Sequence, residues 1–460
     1  MRLVPHRLIA MIQSVGKEKR RPVLDALYQQ LLTRGIQYFL PSSRLEIVER
    51  LEESTPQFVL DEESRGGLTF TWLGNRYALA NHRDFSDHET KMVRSIGRFL
   101  STRYELLFDP ATAARSMPIF GGLTEDRYVS TFLERRVFDD ARSAAAIPDR
   151  VSEAIEVLRI SALSSYEDKR ISTGALLFGA LPDTCHSLPQ RPDGALPYSS
   201  DLTSIRSFHR ICDGLRTIAL VDRGGLMVEL VDVQEWAQPF AEMELPVPTV
   251  RRYRTHSQAT LCGGHICLVL TPNGEIKIFG EGVQLFSFFD GRWHLTDAVA
   301  KYQAWEDAIG QKDLAARLFS AGINLAEHRR GGMFVVLDDA GHVRELVRGS
   351  DLLEPGLGQK AAAKNQLHYL LRSARATGLS GAVLESIAEI DGSVVLDRDS
   401  RLLAFGAILQ QRTPVAEDAE IGEGGRTAAA IGASQFGAVL MVSEGGLLSF
   451  YRKGRCVWTL

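Results

Sequence analysis

Residues 421–452 read IGEGGRTAAAIGASQFGAVLMVSEGGLLSFYR, and this stretch predicts the structure of the C-terminal part of the chain. Three glycines at its start predict a turn, and the small residues 428–433 after them predict a short helix. The apolar runs 437–442 and 447–451, which a polar step separates, predict two strands. The stretch therefore predicts a turn, a helix and a β-hairpin, in this order.

The composition of the turn suits an anion. Gly422, Gly424 and Gly425 would let the backbone approach a phosphate closely, and the free N–H groups at the start of a helix attract negative charge. Arg426 follows, where a guanidinium could add a forked, charge-assisted contact. An ordinary surface turn before a core helix explains the same residues, because short glycine motifs also occur in proteins that bind no phosphate.

A resemblance favours the phosphate-binding interpretation. Residues 424–432 (GGRTAAAIG), followed by a strand that ends in Ser443 and Glu444, resemble the signature of diadenylate cyclase domains, the family of the DNA integrity scanning protein. In that family the run is glycine-threonine-arginine-histidine-arginine-alanine-alanine-isoleucine-glycine. Residues 391–396 (DGSVVL) resemble its aspartate-glycine-alanine motif before a strand. Residues 314–339 resemble its opening helix and first strand, so the resemblance covers the C-terminal part of the chain.

The resemblance implies an activity and a set of site residues. Family members hold one ATP in each of two domains that meet face to face, and the 3′-hydroxyl of one ATP attacks the α-phosphate of the other to form cyclic di-AMP. Carried over to this chain, Asp391 and Glu444 would hold a divalent cation, magnesium or manganese, and would act in catalysis with Arg426, which would hold phosphate. The residues that would contact the nucleotide are Gly392, Ser393, Gly424, Gly425, Thr427 and Ser443. The implied partners are ATP or cyclic di-AMP and a second copy of the chain.

The chain departs from the family pattern at three positions. Thr427 stands where the family has histidine, Ala428 where it has a second arginine, and Ile390 where a histidine often precedes the aspartate. The missing arginine removes a bidentate phosphate donor, which Arg401 or Arg412 could replace in space. Two functions therefore remain open: a divergent diadenylate cyclase, and a catalytically silent sensor of a nucleotide or cyclic dinucleotide. A third alternative is a scaffold protein that binds no ligand.

Composition limits the other possibilities. The chain has 460 residues, of which 45% are hydrophobic and 24% charged, as in a globular protein of two or three domains. Its net charge of −4 argues against general nucleic-acid binding. Five scattered cysteines fit a reducing cytosol better than a disulfide framework. No apolar run is long enough to span a bilayer, so the sequence predicts a cytoplasmic protein that does not enter a membrane.

The order of predicted elements suggests an α/β protein with four segments. Residues 1–180 mix helices and hairpins and are predicted to form an α+β, sensor-like regulatory domain. Residues 181–204, rich in proline, serine and glycine, predict a linker or long loop. Residues 205–300 predict a β-rich module that can be continuous with the N-terminal region. Residues 301–460 are the diadenylate cyclase-like part, in which helices flank a mixed sheet.

Local patterns give further expectations. Residues 42–51 open with two serines and predict a capped helix. The segment 82–89 (HRDFSDHE) either binds a metal or caps the helix that follows, and the cap is favoured. Cys262, His265 and Cys267 suggest a metal, but their spacing is not that of a standard zinc site and they are interpreted as strand positions.

Overall fold

The computed structural model describes residues 17–64, 67–108, 117–134, 149–166, 169–183, 185–353, 370–410 and 425–460. The chain divides into two compact units. Unit 1 comprises Met1–Met243 and Thr255–Asp297, and unit 2 comprises Glu244–Arg254 and Ala298–Leu460. The predicted linker, residues 181–204, thus falls inside unit 1. The start predicted for the last domain, residue 301, lies just after Ala298, where the second segment of unit 2 begins.

Unit 1 contains helices and antiparallel hairpins in alternation. Its helices are α1 (Lys17–Phe39), α2 (Asp87–Leu106), α3 (Thr124–Leu133), α4 (Arg150–Ala162), α5 (Arg206–Ile211) and α6 (Val233–Ala237), and α7 (Arg254–Gln258) begins at the boundary with unit 2. Single turns of 3₁₀ helix occur in both units at Met117–Phe120, Ser200–Ser204, Gln238–Phe240, Arg251–Tyr253, Ala340–His342, Gly349–Asp351 and Ala376–Gly378.

Two larger sheets and one short ribbon organise unit 1. The strands are β1 (Arg44–Arg50), β2 (Val59–Ser64), β3 (Gly67–Trp72), β4 (Asn75–Ala80), β5 (Ser165–Tyr166), β6 (Lys169–Arg170), β7 (Thr173–Leu177), β8 (Thr217–Val221), β9 (Met227–Asp232), β10 (Ile266–Leu270), β11 (Ile276–Gly280), β12 (Val283–Phe289) and β13 (Arg292–Leu295). The first sheet has the order β1-β4-β3-β2, and the second β13-β12-β11-β10-β7-β8-β9. Because β7 precedes the predicted linker and its neighbours β8 and β10 follow it, the second sheet joins the predicted N-terminal and β-rich segments.

The prediction of a helix over residues 42–51 is wrong. The segment forms strand β1, which pairs antiparallel with β4, for example Ile47 opposite Tyr77. Ile47 and Val48 are β-branched and suit a pleated edge strand, and the hydrogen bonds to β4 override the serine cap signal. The segment 82–89 does cap a helix, as predicted. The Ser86 hydroxyl accepts from the Glu89 N–H at 3.1 Å, and the Glu89 carboxylate accepts from the Ser86 N–H at 3.0 Å.

Unit 2 is built on one six-stranded mixed sheet. Its helices are α8 (Ala298–Ile309), α9 (Lys312–Glu327), α10 (Val343–Leu346), α11 (Gly381–Ala388) and α12 (Gly425–Ala433), and its strands are β14 (Gly332–Leu337), β15 (Ser393–Asp397), β16 (Leu402–Ala407), β17 (Gly437–Val442), β18 (Leu448–Arg452) and β19 (Arg455–Thr459). The strand order is β16-β15-β14-β17-β18-β19, and only β14 and β15 are parallel.

Helices cover both faces of this sheet, so its central strands are buried along their whole length. On one face Val439 packs in a cluster with Ala430 and Ala433 of α12. On the other face α9 approaches so closely that a Cβ at Gly322 would lie 3.0 Å from Leu440 Cδ2. The predicted class, α/β with a C-terminal mixed sheet flanked by helices, is confirmed. Within the described residues no helix has the length and hydropathy needed to cross a bilayer.

Candidate functional site

Three strand ends meet at one edge of the six-stranded sheet. Gly331 lies immediately before β14, Asp391 lies two residues before β15, and Ser443 lies immediately after β17. Because β15 is parallel and β17 antiparallel to the central strand β14, these positions lie side by side, with Gly331 in the middle. Adjacent strands are about 5 Å apart, so the backbones at Asp391 and Ser443 are roughly 10 Å apart. We call this the Gly331 edge.

Helix α12 brings Arg426 to the Gly331 edge. Its Nη1 lies 3.7 Å from Glu444 Oε1, in an ion pair whose side chains are 33% and 84% exposed. An ion pair so open to solvent contributes roughly 0–1 kcal/mol to stability, so it leaves both groups able to exchange partners. Asp391 is also exposed. The three residues that the resemblance assigns to catalysis therefore lie at the same edge, with side chains that solvent reaches.

Ser443 closes the turn that carries Glu444. Its N–H donates to the Leu447 carbonyl at 2.9 Å, its hydroxyl accepts from the Leu447 N–H at 3.1 Å, and its carbonyl accepts from the Gly446 N–H at 3.0 Å. These bonds fix a tight hairpin turn between β17 and β18, with Glu444 at its exposed tip. The hydroxyl of Ser443 is thus engaged in the turn.

Two of the residues expected to contact a nucleotide pack against neighbouring strands of the sheet. Ser393 is 3% exposed, and its hydroxyl donates to Met333 Sδ at 3.4 Å. Gly392 has a φ of +119°, and a Cβ on it would lie 2.5 Å from the carbonyl carbon of Gly406. The missing side chain at Gly392 therefore allows β15 to pack against β16.

The other predicted residues have different positions. Gly425 is exposed and Thr427 half-buried in the first turn of α12, while Gly424 and Gly422 lie outside the described residues. Arg401 lies in the turn between β15 and β16, where its N–H donates to Asp397 Oδ1. This is the opposite edge of the sheet from Asp391, so Arg401 does not take the place of the missing arginine within one unit. Arg412 lies outside the described residues.

Unit 1 holds a second polar cluster that sequence analysis missed. His265 Nε2 and His186 Nδ1 lie 2.9 and 3.0 Å from the same atom, Asp183 Oδ2. Asp183 Oδ1 accepts from the N–H groups of Cys185 and His186 at 2.8 and 3.2 Å. The His186 ring stacks on Trp236, with centroids 4.1 Å apart and planes 7° from parallel. The cluster ties the predicted loop over residues 181–204 to the segment that precedes β10.

Within the described residues, these three side chains form the group whose ligand atoms are close enough to share a metal ion, but their hydrogen bonds argue against one. The Gly179 N–H donates to His265 Nδ1 at 2.9 Å, so His265 Nε2 carries the ring proton and donates to Asp183. A nitrogen that carries a proton has no lone pair for a metal. His265 Nε2 is therefore not available to a metal in this arrangement, and the metal interpretation of Cys262, His265 and Cys267, which the sequence did not favour, gains no support from it.

The pKa values in the cluster follow from burial and these bonds. Burial raises the pKa of Asp183, but hydrogen bonds from His265, the Cys185 N–H and His186 outweigh it and lower that pKa to about 2. Burial lowers the pKa of His265 below its ordinary value, against the opposing effect of Asp183. Both shifts favour an ionised carboxylate beside a neutral His265. No local sequence signal links Asp183 to His265, because pairing of β7 with β10 brings them together.

Comparisons with known proteins add little. No protein-family model matches the chain, and no curated protein matches it. A solved structure described as a hypothetical membrane spanning protein from Bacillus cereus is 22% identical with a TM-score of 0.26, over 35% of this chain and 70% of that chain. A double mutant of DacA from Staphylococcus aureus is 17% identical with a TM-score of 0.22, over 34% of this chain and 87% of that chain. These likenesses are too small to place the chain in a family.

Proposed function

We propose that unit 2 is a nucleotide-binding domain and a divergent diadenylate cyclase that condenses two ATP molecules into cyclic di-AMP. The observation that supports this proposal is the convergence of Asp391, Arg426 and Glu444 at the Gly331 edge. Asp391 comes from a different stretch of the chain from Arg426 and Glu444, which belong to two different elements of the run 421–452. An ordinary turn before a core helix gives no reason for two carboxylates and a guanidinium to meet at one exposed edge.

The proposed chemistry matches the side chains. The Arg426 guanidinium would bind phosphate oxygens, and it is free to do so because its bond to Glu444 is long and exposed. Asp391 and Glu444 would hold a divalent cation, since carboxylate oxygens are the ligands that magnesium and manganese prefer. Such a cation would neutralise the triphosphate. In each of two steps a 3′-oxygen forms a bond to an α-phosphorus, the bond from that phosphorus to pyrophosphate breaks, and the hydroxyl proton passes to solvent. Positioning and charge compensation are therefore what the protein must supply.

The proposal includes a dimer, a regulatory role for unit 1 and a place in the cell. One unit holds one ATP, so the second must come from another copy of the chain facing the same edge. Unit 1, with its two larger sheets, would control when the copies meet. The protein would act in the cytoplasm, where ATP is available and where the thiols of its cysteines stay reduced.

A catalytically silent sensor is the second candidate. Ala428 and Thr427 replace two residues of the family's arginine-histidine-arginine run, and both lie half-buried in the first turns of α12. A domain with one fewer phosphate donor could bind a nucleotide or cyclic dinucleotide without compensating the charge that develops during transfer.

Mass spectrometry of the full chain incubated with ATP, and with magnesium or manganese, tests the proposal. We expect cyclic di-AMP from the wild type and none from Asp391→Asn. Asp338→Asn is the matched control, because Asp338 is a half-exposed carboxylate at the opposite edge of the same sheet, paired with Arg398 and Arg452. The control should keep its activity.

Two other results would change the conclusion. If no product forms but ATP or cyclic di-AMP binds saturably, and Arg426→Ala weakens that binding, the protein is a sensor. If the protein forms no product and binds neither ATP nor cyclic di-AMP, the nucleotide site is refuted. Dilution adds a test of the dimer, because the rate per molecule should fall as copies separate.

A further inference from the structure

Arg426 lies in space that Gly331 leaves open. A Cβ built on Gly331 would overlap Arg426 Nη1 and would lie 2.9 Å from its Cζ. The guanidinium therefore rests against the backbone at the start of β14, between the ends of β15 and β17. Glu444 contacts the same guanidinium from the side of β17, at 3.7 Å.

The backbone does not require glycine at position 331. Gly331 is not among the glycines with positive φ, so its conformation is open to any residue. Its neighbour Gly332 differs, because a Cβ there would meet Leu325 Cδ1 at 3.0 Å and the Ala388 carbonyl at 3.1 Å inside the packed core. At Gly331 the nearest atoms all belong to the end of one flexible side chain, that of Arg426.

We infer that Gly331 is a positioning residue that sets where the Arg426 guanidinium lies and so where phosphate binds. This inference rests on the proposed function and deepens it. Any side chain at position 331 would push the guanidinium away from the sheet edge and towards solvent. The guanidinium would then no longer lie against the backbone at the start of β14. Since Ala428 replaces the family's second arginine, the position of Arg426 matters more for phosphate than it would with two arginines present.

Gly331→Ala tests the inference, and two readouts are measured on the full chain. The first is the rate at which phenylglyoxal modifies Arg426, followed by mass spectrometry, which reports exposure of the guanidinium without any nucleotide. We expect modification to be several-fold faster in Gly331→Ala. The second is the Kd for ATP, which should be roughly tenfold to hundredfold weaker, as for loss of one charge-assisted hydrogen bond.

Matched variants separate positioning from folding. Gly378→Ala adds the same methyl group in unit 2 where it would meet nothing within 4 Å, so it should change neither readout. In an Arg426→Ala background, Gly331→Ala should weaken ATP binding no further, because the group it displaces is gone. Thermal melting should change little, since only a flexible side chain has to move.

Each outcome is decisive. An unchanged rate of modification in Gly331→Ala would overturn the inference, and so would faster modification with unchanged ATP binding. If adding Gly331→Ala to Arg426→Ala weakens ATP binding further, the inference is also overturned. A wild type that binds no ATP would refute the proposed function, and the modification rate would then still support or overturn the placement of the guanidinium.

Discussion

Replacing Gly392 by alanine should destabilise unit 2 strongly, even though the sequence places this glycine in a nucleotide-binding motif. The added Cβ would lie 2.5 Å from the carbonyl carbon of Gly406 and 2.6 Å from the nitrogen of Ala407. These are backbone atoms of β16, the strand that pairs with β15, so no side chain can rotate to relieve the overlap. The φ of +119° is itself a conformation that residues with a Cβ rarely adopt.

The expected magnitude follows from two separate costs. The unfavourable φ costs about 1–3 kcal/mol. Forcing a methyl group into a packed position costs a further 1–3 kcal/mol, roughly. The free energy of unfolding of unit 2 should therefore fall by about 2–6 kcal/mol, a large part of the stability of an ordinary domain.

Hydrogen exchange measured by mass spectrometry gives the local answer in the full chain. Peptides from β15 and β16 should exchange much faster in Gly392→Ala, whereas peptides of unit 1 should be unchanged. Gly349→Ala is the control, since a Cβ at this position of unit 2 would meet nothing within 4 Å. If β15 and β16 exchange in Gly392→Ala as slowly as in the wild type, but ATP binding is lost, the packing argument is refuted. Gly392 would then contact the nucleotide directly.

Three further predictions concern charge. Lowering the pH from 7 to 5 should destabilise the segment around β7 and β10 in unit 1, because the unfolded chain takes up a proton at His265 near its ordinary pKa of 6.5, whereas burial lowers the pKa of His265 in the folded chain. Hydrogen exchange in this segment, corrected for intrinsic rates, should therefore become faster. Exchange through an opening that does not depend on pH would contradict the argument. Below pH 3.8 the contribution of Asp183 should be lost as the pH falls towards its folded pKa of about 2, and Asp183→Asn should lack that step. In unit 2, Ala428→Arg should tighten ATP binding roughly tenfold by adding a phosphate donor, measured against Ala428→Met, which adds length without charge; equal affinities would argue against a phosphate near α12.

Much of unit 2 could be predicted from local patterns. The run 421–452 indicated a helix and two strands, and the structure has α12, β17 and β18 at nearly the same bounds. Apolar runs and tight turns are properties of neighbouring residues, so they are visible without the fold. The segment 42–51 shows the limit of such signals. Its serines suggested a cap, but pairing with β4 decided the conformation, and no local pattern reports a partner strand.

The candidate site divides in the same way. Asp391, Arg426 and Glu444 could be named from motifs, whereas Gly331 is one of 40 glycines and nothing in the sequence distinguishes it. Its importance comes from a side chain that reaches it from α12. Ser393 shows the converse, since its motif suggested a ligand contact and the structure turns its hydroxyl towards Met333.

By itself, the sequence determined the fold class and the type of most elements in unit 2. It also indicated three residues, Asp391, Arg426 and Glu444, with the chemistry to bind phosphate and a cation. The tertiary structure alone decided that these three residues share an edge, that the guanidinium lies in space left open by Gly331 and that Asp183 bonds to His265. The physical reason is that composition and periodicity act between near neighbours in the chain. Strand order and register depend on contacts between distant residues, and only the folded packing of the whole unit selects them.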